Sequence, residues 1–214
     1  MAAGLTVVVD YGLCNIDSMT RALEECGATT VEATRDPRTV AKADRIVLPG
    51  VGTFEAAMRN LREWHLLDAI REASSRPELP FLGACLGMQL MATHGTEGAR
   101  DADPIEGIGL VEATVVRLLP QFDTDRVPHI GWNEVRPRGG SWLFAQNSDV
   151  GDFYFVHSYH MQLNDPRHEA ARTPYCGDFT SAIELTGRPI FGTQFHPEKS
   201  QKSGFRLLKR FLAA

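Results

Sequence analysis

The stretch Phe81-Leu-Gly-Ala-Cys85-Leu-Gly-Met-Gln89 joins a short apolar strand to a segment with helical character. The pattern Gly-x-Cys-x-Gly at its centre is that of a nucleophile elbow, with cysteine in the place that serine takes in many hydrolases. Small residues on both sides permit the sharp turn, which places Cys85 at the carboxyl edge of a parallel sheet, above the amides that begin the next helix. The stretch predicts an α/β fold and a candidate nucleophile. A buried cysteine that merely packs in a tight turn is the alternative interpretation.

The segments before the elbow repeat the alternation of strand and helix. Residues 5–9 form a continuous apolar, β-branched run, typical of a strand that is buried on both faces of a parallel sheet. We expect Asn15 to cap a helix whose apolar residues recur every three or four positions up to Gly27. Further strands are predicted at residues 29–33, 45–48 and 80–83, and further helices at 54–62, at 66–73 and from about 86.

The second half of the chain has more strand character. It follows a loop rich in Gly and Asp at residues 95–104, and a hairpin-like turn is expected at Thr186-Gly187-Arg188. An amphipathic helix is predicted at 204–212, with Phe205 and Leu208 facing inward. Candidate strands lie at residues 110–118, 152–159, 179–185 and 189–195. We expect one three-layer α/β domain over residues 1–214, whose sheet begins parallel and acquires antiparallel strands.

Composition excludes several classes of function. The 214 residues include 22 Lys and Arg against 27 Asp and Glu, and this net charge of -5 gives no electrostatic support for nucleic-acid binding. No apolar run is long enough to span a bilayer, and residues 1–5 lack the character of a signal peptide, so a cytoplasmic location is expected. The four cysteines are scattered, and most of them should be reduced thiols. His157 and His160 lack further ligands in the sequence around them, so neither a metal nor a cofactor is predicted.

A second motif supplies a candidate base for the cysteine. The run Gly192-Thr-Gln-Phe-His196-Pro-Glu198 follows an apolar strand. In an extended chain, residues i and i+2 face the same side, so the Glu198 carboxylate can bond one imidazole nitrogen while the other nitrogen faces a nucleophile. A lone histidine at a strand end is more often structural, but the pair predicts a base with its orienting group.

A third motif, Leu48-Pro-Gly50-Val51-Gly52-Thr-Phe54, is a glycine-rich loop between a strand and a helix. Such a loop can cradle phosphate, but the rest of a dinucleotide or Walker pattern is missing here. Its alternative use is to present backbone amides to an oxyanion. Acyl transfer through cysteine needs at least two such donors, and one is commonly the amide after the nucleophile, here that of Leu86.

Together the three motifs resemble one family, the class I (triad) glutamine amidotransferases, and the resemblance extends over essentially the whole chain. It is most specific for the branch that supplies ammonia to a cyclase forming imidazole glycerol phosphate. Two departures from that branch stand out: Cys14 replaces the usual glycine, and Ala84 replaces the usual Ile or Val. Further segments that carry the resemblance are Asp10-Tyr-Gly12 with Asn15, and residues 48–52, 58–61, 128–133, 153–159 and 194–200.

The resemblance implies a flavodoxin-like, three-layer glutaminase fold with a central mixed, largely parallel sheet, and a site for glutamine. It implies that the Cys85 thiolate attacks the carboxamide of glutamine, with His196 as acid and then base and Glu198 as its orienting group. The amides of Val51, once suitably oriented, and of Leu86 would hold the oxyanion. The residues implied for the glutamine pocket are Gly50, Gly52, Gln89, Ser158 and Tyr159.

The released ammonia implies a partner. In water at neutral pH ammonia becomes ammonium, which is no nucleophile, so it must pass directly to an acceptor site. Once the three motifs are assigned, no segment remains for that site. The resemblance implies a heterodimer with a (β/α)8-barrel cyclase, in histidine biosynthesis. It implies a partner interface made by Asn15, Pro128, His129, Ile130, Gly131, Trp132, Asn133 and Lys199.

Three alternatives remain open at the level of sequence. The Cys14 departure lies near the implied interface, so a paralogous glutaminase that feeds an amidino-sugar amidotransferase is one of them. A stand-alone cysteine hydrolase would share the elbow but need no partner; Gln89 and the Pro49–Gly52 loop disfavour it. A silent binding module is disfavoured because Cys85, His196 and Glu198 are all present.

Overall fold

The computed structural model describes residues 2–99, 103–144 and 151–214. The strands are β1 (Ala2–Val9), β2 (Ala28–Thr34), β3 (Arg45–Gly50), β4 (Phe81–Cys85), β5 (Ala92–Gly95), β6 (Ile105–Glu106), β7 (Val111–Arg117), β8 (His129–Pro137), β9 (Gly151–His157), β10 (Tyr159–Leu163), β11 (Glu169–Thr173), β12 (Phe179–Glu184) and β13 (Ile190–Thr193). The α-helices are α1 (Ile16–Glu25), α2 (Pro37–Ala41), α3 (Phe54–Glu63), α4 (Leu66–Ser74), α5 (Leu86–Leu90) and α6 (Gln201–Leu212).

A large sheet forms the centre of the molecule. Within the described ranges it has nine strands in the order β2-β1-β3-β4-β13-β12-β11-β8-β9. Neighbours from β2 to β13 run parallel, and neighbours from β13 to β9 run antiparallel. The prediction of an α/β fold with a mixed sheet is confirmed. A second sheet, with the order β10-β7-β5-β6, was not predicted.

Strand β1 shows why the fold has three layers. Val7, Val8 and Val9 are all fully buried, as expected of a strand covered on both faces. Val7 and Val9 belong to a core shared with α3 and α4, whereas Val8 belongs to a core shared with α1 and α6. Each face of the sheet is therefore covered by its own set of helices.

Several elements differ from the sequence predictions. The strand expected at 152–159 breaks at Ser158, so β9 lies in the large sheet and β10 in the small one. Four strands, β5, β6, β8 and β11, and helix α2 were missed. Helix α5 has only five residues, and α6 begins at Gln201. In α6, Leu208 is buried as predicted but Phe205 is only partly covered. Of the loop expected at 95–104, residues 100–102 lie outside the described part. Among the helices that are described, none is long and apolar enough to cross a membrane.

The parallel strands bring the sequence motifs to one edge of the sheet. In the pairing of β3 with β4, Gly50 lies opposite Cys85, and in that of β4 with β13, Ala84 lies opposite Thr193. The carboxyl ends of parallel strands point the same way, so the glycine-rich loop, the elbow and the segment leading to His196 all leave the sheet on the same side.

Candidate active site

The elbow at the end of β4 forces Cys85 into an uncommon backbone conformation. Its φ of 54° and ψ of -111° lie outside the regions that residues with a side chain usually adopt. The neighbouring glycines allow this turn to pack closely. A Cβ on Gly87 would collide with the carbonyl of Leu48, and one on Gly83 would lie 2.8 Å from the backbone of Gly87. The elbow therefore requires glycine at both positions, because neither has room for a side chain.

His196 and Glu198 form the hydrogen bond that their spacing predicts. The distance between His196 Nδ1 and Glu198 Oε1 is 2.8 Å, and each side chain is only 4% exposed. The backbone reason differs from the extended chain assumed above, because Pro197–Lys199 is a 3₁₀ turn. Ser200 secures this turn: its hydroxyl donates to the carbonyl of His196 at 2.6 Å and accepts from the amide of Tyr154 at 3.0 Å.

The other imidazole nitrogen faces the cysteine. His196 Nε2 is buried and has no hydrogen-bond partner among the described residues. Burial alone would lower the pKa of His196, but the charge of the nearby Cys85 thiolate, together with Glu198, raises this pKa above its usual value. The arrangement therefore favours a protonated His196 imidazole at neutral pH. Catalytic hydrogen bonds are often long until a substrate binds, so the open Nε2 suits an acid-base group.

A cavity of about 250 Å³ opens above the cysteine. Among the residues predicted to shape a glutamine pocket, Gly52, Gln89, Ser158 and Tyr159 line it, whereas Gly50 is buried behind it, against Tyr11. Within the described part of the chain, the lining residues are Val51, Gly52, Cys85, Leu86, Gln89, Glu97, Pro128, Val156, His157, Ser158 and Tyr159.

Comparison with known proteins identifies the family. The model of the family "Glutamine amidotransferase class-I" matches residues 7–214. The chain belongs to this family. Two relatives are named imidazole glycerol phosphate synthase subunit HisH: that of Cereibacter sphaeroides is 43% identical over 97% of this chain and 98% of its own length, and that of Vibrio cholerae is 42% identical over 96% and 97%. Subunit HisH 1 of Campylobacter jejuni is 37% identical over 97% and 98%.

Solved structures agree with the amidotransferase fold. The crystal structure of a glutamine amidotransferase superposes with a TM-score of 0.72 at 19% identity, covering 97% of each chain. The structure of PurLQS from Thermotoga maritima gives a TM-score of 0.70 at 16% identity, covering 98% of this chain and 97% of the other. At these identities the likeness concerns the fold alone.

The two backbone amides expected to hold an oxyanion are in different states in this amidotransferase. Leu86 is the first residue of α5, so the helix itself does not use its amide. The amide of Val51 instead donates to the carbonyl of Leu13 at 2.8 Å. One of the two donors is therefore engaged by the loop that follows β1.

Sequence reasoning missed Glu97, which is the one carboxylate among the described residues that line the cavity. Its Oε2 accepts from the amide of Phe54 at 2.9 Å, which ties it to the start of α3. Burial raises the pKa of Glu97, while the bond from Phe54 and the charge of Arg117 counteract this. The residue lies in a polar loop without a motif, so only its position in space distinguishes it.

Gln194 is a second residue that no role had been given. Its Oε1 accepts from Gln89 Nε2 at 3.1 Å, and its Nε2 lies 3.8 Å from Cys85 Sγ. The carbonyl of Tyr159 also accepts from Gln89 Nε2, at 2.8 Å. Both acceptors require Gln89 to present its nitrogen to them, which turns its Oε1 away from Gln194 and leaves it as an acceptor for a ligand.

The predicted partner interface is only partly at the surface. Ile130 and Trp132 are 62% and 47% exposed, and Lys199 is exposed near the ring of Tyr154. Pro128 is exposed, and Gly131 and Asn133 are half-buried. Asn15 is exposed and caps α1 as predicted, accepting from the amide of Ser18 at 3.4 Å.

His129 is the exception, because its side chain is only 3% exposed. It stacks on Tyr175 and Phe155 beneath the surface, so it cannot contact a partner directly. Neighbouring residues of a strand point to opposite faces, and the exposure of Ile130 therefore sends His129 inward.

Neither of the two departures from the family pattern lines the cavity. Cys14 is half-buried, with Sγ 3.7 Å from Asp10 Oδ1 and 3.8 Å from the carbonyl of Val9. Burial raises its pKa to about 11, so it is a neutral thiol. Ala84 is buried in the sheet core and does not line the cavity.

Proposed function

We propose that this chain is the glutaminase subunit of imidazole glycerol phosphate synthase and that it hydrolyses glutamine to glutamate and ammonia in histidine biosynthesis. The observation that carries the proposal is an elbow cysteine in the lining of a cavity, with the buried His196–Glu198 pair beside this cysteine. The family match and the names of relatives that are 37–43% identical over nearly the whole chain support it.

The chemistry follows from the positions of the side chains. Cys85 Sγ attacks the carboxamide carbon of glutamine, and the amide of Leu86 stabilises the resulting oxyanion. His196 Nε2 donates a proton to the amide nitrogen, the C–N bond breaks and ammonia leaves. A water molecule then gives its proton to His196 and adds to the thioester carbon, and the C–S bond breaks to release glutamate and the thiolate. Glu198 holds the ring in one orientation through both steps.

The cavity supplies groups for the other end of glutamine. The Glu97 carboxylate can accept from the α-ammonium group, and Gln89 Oε1 can accept from a second donor of the substrate. The cavity volume of about 250 Å³ suits an amino acid rather than a peptide or a larger cofactor.

A barrel-shaped cyclase is the partner that we propose for this chain. Exposed Ile130 and Trp132 make an apolar patch beside the cavity wall at Pro128, which suits a surface that a partner covers. Ammonia released at Cys85 would then pass to the cyclase without meeting bulk water. With the Val51 amide bound to Leu13, the free chain should hydrolyse glutamine slowly.

The decisive experiment measures glutamate production by the chain alone and with a purified (β/α)8-barrel cyclase loaded with its ribonucleotide substrate. We expect stimulation of about a hundredfold to a thousandfold, the effect of one oxyanion donor. Full activity of the chain alone would favour a stand-alone hydrolase. Stimulation by an amidino-sugar amidotransferase and not by the cyclase would favour the paralogous glutaminase. Cys85→Ala serves as the inactive control.

A further inference from the structure

A line of polar groups outside the triad, from the half-buried Asn133 to two buried histidines, connects β8 with the wall of the cavity. The side-chain amide of Asn133 lies 3.4 Å from His129 Nε2, and His129 Nδ1 lies 3.0 Å from His157 Nε2. His157 Nδ1 in turn lies 2.8 Å from the main-chain carbonyl of Tyr159. Neither histidine has a part in the mechanism above.

The chemistry of the end groups fixes the direction of every bond. The carbonyl of Tyr159 can only accept, so His157 carries its proton on Nδ1 and, when neutral, accepts at Nε2. His129 must then donate from Nδ1 and accept at Nε2. Asn133 fits that requirement, because its Oδ1 already accepts from the amide of Glu134 at 2.9 Å and its nitrogen therefore faces the ring.

Burial keeps both rings in the required neutral form. His129 and His157 are 3% and 7% exposed, and His129 stacks on Tyr175 and Phe155 with centroids 3.9 and 4.7 Å away. This burial lowers the pKa of His129 to about 4 and that of His157 to about 3. Each neutral imidazole has one donor and one acceptor nitrogen. The hydrogen bond at one nitrogen of a ring therefore determines the direction of the hydrogen bond at the other nitrogen.

The line ends on the group that orients Gln89. The carbonyl of Tyr159 accepts from His157 and also from Gln89 Nε2 at 2.8 Å, so both of its lone pairs are used. Tyr159 begins β10 directly after the break at Ser158, where the chain passes from the large sheet to the small one. The bond from His157 therefore fixes the direction of this carbonyl and, through it, the amide of Gln89.

We propose that His157 and His129 are positioning residues for glutamine and that Asn133 links them to the partner-facing strand β8. The proposal rests on the function proposed above and adds how docking reaches the substrate. Asn133 follows Trp132, so a partner that moves this strand changes the first bond of the line. The change passes through two rings to the carbonyl of Tyr159 and reaches the cavity at Gln89.

Steady-state kinetics test the positioning role. His157→Phe keeps an aromatic ring but removes both bonds, whereas His157→Asn keeps a donor near the position of Nδ1. We expect the phenylalanine variant to raise KM for glutamine about threefold to tenfold, the effect of one neutral hydrogen bond, with kcat changed less than about threefold. The asparagine variant should restore most of KM. His94→Gln, at an exposed histidine of β5, is the matched control and should leave both constants unchanged.

The outcomes separate this proposal from the proposed function. If the wild-type chain hydrolyses glutamine and folded His157→Phe has the wild-type KM, the positioning role is refuted while the glutaminase function stands. If the wild type with its partner does not hydrolyse glutamine, the function fails and the role for glutamine fails with it. A purely structural role would lower the thermal midpoint and kcat, and asparagine would not rescue it.

Nitrogen-15 spectra of the histidine rings test the line without any kinetic assay. At pH 7 both His129 and His157 should be neutral with the proton on Nδ1. Asn133→Asp places an acceptor opposite His129 Nε2, so it should change the ring signals of His129 and also those of His157. The Nε2–H form or an imidazolium at either residue in the wild type would overturn the proposal. Unchanged His157 signals in Asn133→Asp would do the same.

Discussion

Replacement of Glu97 by glutamine should weaken glutamine binding without disturbing the fold. Glu97 is the carboxylate in the cavity lining, and its Oε2 accepts from the amide of Phe54 at 2.9 Å. A glutamine side chain has the same length and retains one oxygen for the Phe54 amide. The substitution therefore removes the negative charge but preserves the bond that anchors this loop to α3.

The size of the effect follows from the bond that is lost. A hydrogen bond to a charged group contributes about 1.5–3 kcal/mol, and a tenfold change corresponds to about 1.4 kcal/mol. We therefore expect kcat/KM for glutamine to fall about tenfold to a hundredfold in Glu97→Gln. Most of the loss should appear in KM, because the α-ammonium group is present equally in the substrate and in the transition state.

The assay compares glutamine with glutaramate, which lacks the α-amino group. Glu97→Gln should lower kcat/KM for glutamine but leave the slower reaction of glutaramate nearly unchanged. Glu55→Gln is the matched control, since Glu55 is a partly exposed carboxylate that does not line the cavity. An equal loss on both substrates, or none on either, would refute the role of Glu97 as the ammonium-binding group.

Three further predictions concern the triad and the histidine pair. Cys85→Ala should abolish glutamine hydrolysis in the complex but leave synthesis driven by added ammonium salt intact, as measured by product formation; retained hydrolysis would contradict the assignment. Glu198→Gln should lower kcat strongly, since the comparable change in a serine triad costs about ten-thousand-fold; a wild-type rate would mean that the hydrogen bond to the imidazole is unimportant. Acid should destabilise the fold: His157 has a lowered pKa of about 3, so its contribution is present above the unfolded value of 6.5 and is lost as the pH falls toward 3. At pH 5 its share of the loss is about 2 kcal/mol, from 1.36 kcal/mol per pH unit. Urea unfolding of wild type and His157→Asn at pH 7.5 and 5.0 measures it, and an equal pH dependence in both proteins would be the contrary result.

The parallel half of the fold could be predicted from sequence, because a strand that is buried on both faces has a continuous run of apolar residues. Val7, Val8 and Val9 are apolar without alternation, and all three are fully buried. Strand β8 has a sequence pattern that hides its position in the fold. Its His129 points into the core while Ile130 and Trp132 point outward, so the alternation of apolar and polar residues is reversed. A strand whose outer face is apolar does not resemble a strand that packs on its own core.

The residues of the candidate site likewise fall into those that the sequence could identify and those that it could not. Cys85, His196 and Glu198 lie in short motifs whose local geometry brings them into position, so sequence alone could name them. Glu97 and Gln194 enter through contacts between distant segments, such as the bond from Phe54 to Glu97 across 43 positions of the chain. No local pattern distinguishes Glu97 from other polar groups in a loop, and Gln194 lies in the motif of His196 without any local sign of its contacts with Gln89 and Cys85.

The loop after β1 makes a partner-dependent glutaminase physically reasonable. In the free chain the Val51 amide donates to the carbonyl of Leu13, two residues before the exposed Asn15. Exchange of one backbone hydrogen bond costs about 0.5–1.5 kcal/mol net, whereas an added oxyanion donor stabilises the transition state by about 2.7–4 kcal/mol. A partner that contacts the loop around Asn15 therefore needs to supply only the free energy of the lost hydrogen bond, about 0.5–1.5 kcal/mol. In return the chain gains an oxyanion donor that stabilises the transition state by about 2.7–4 kcal/mol. The same comparison explains why the Val51 amide bonds to Leu13 in the absence of glutamine. Until an oxyanion forms, the hydrogen bond to the carbonyl of Leu13 is the more favourable arrangement for this amide.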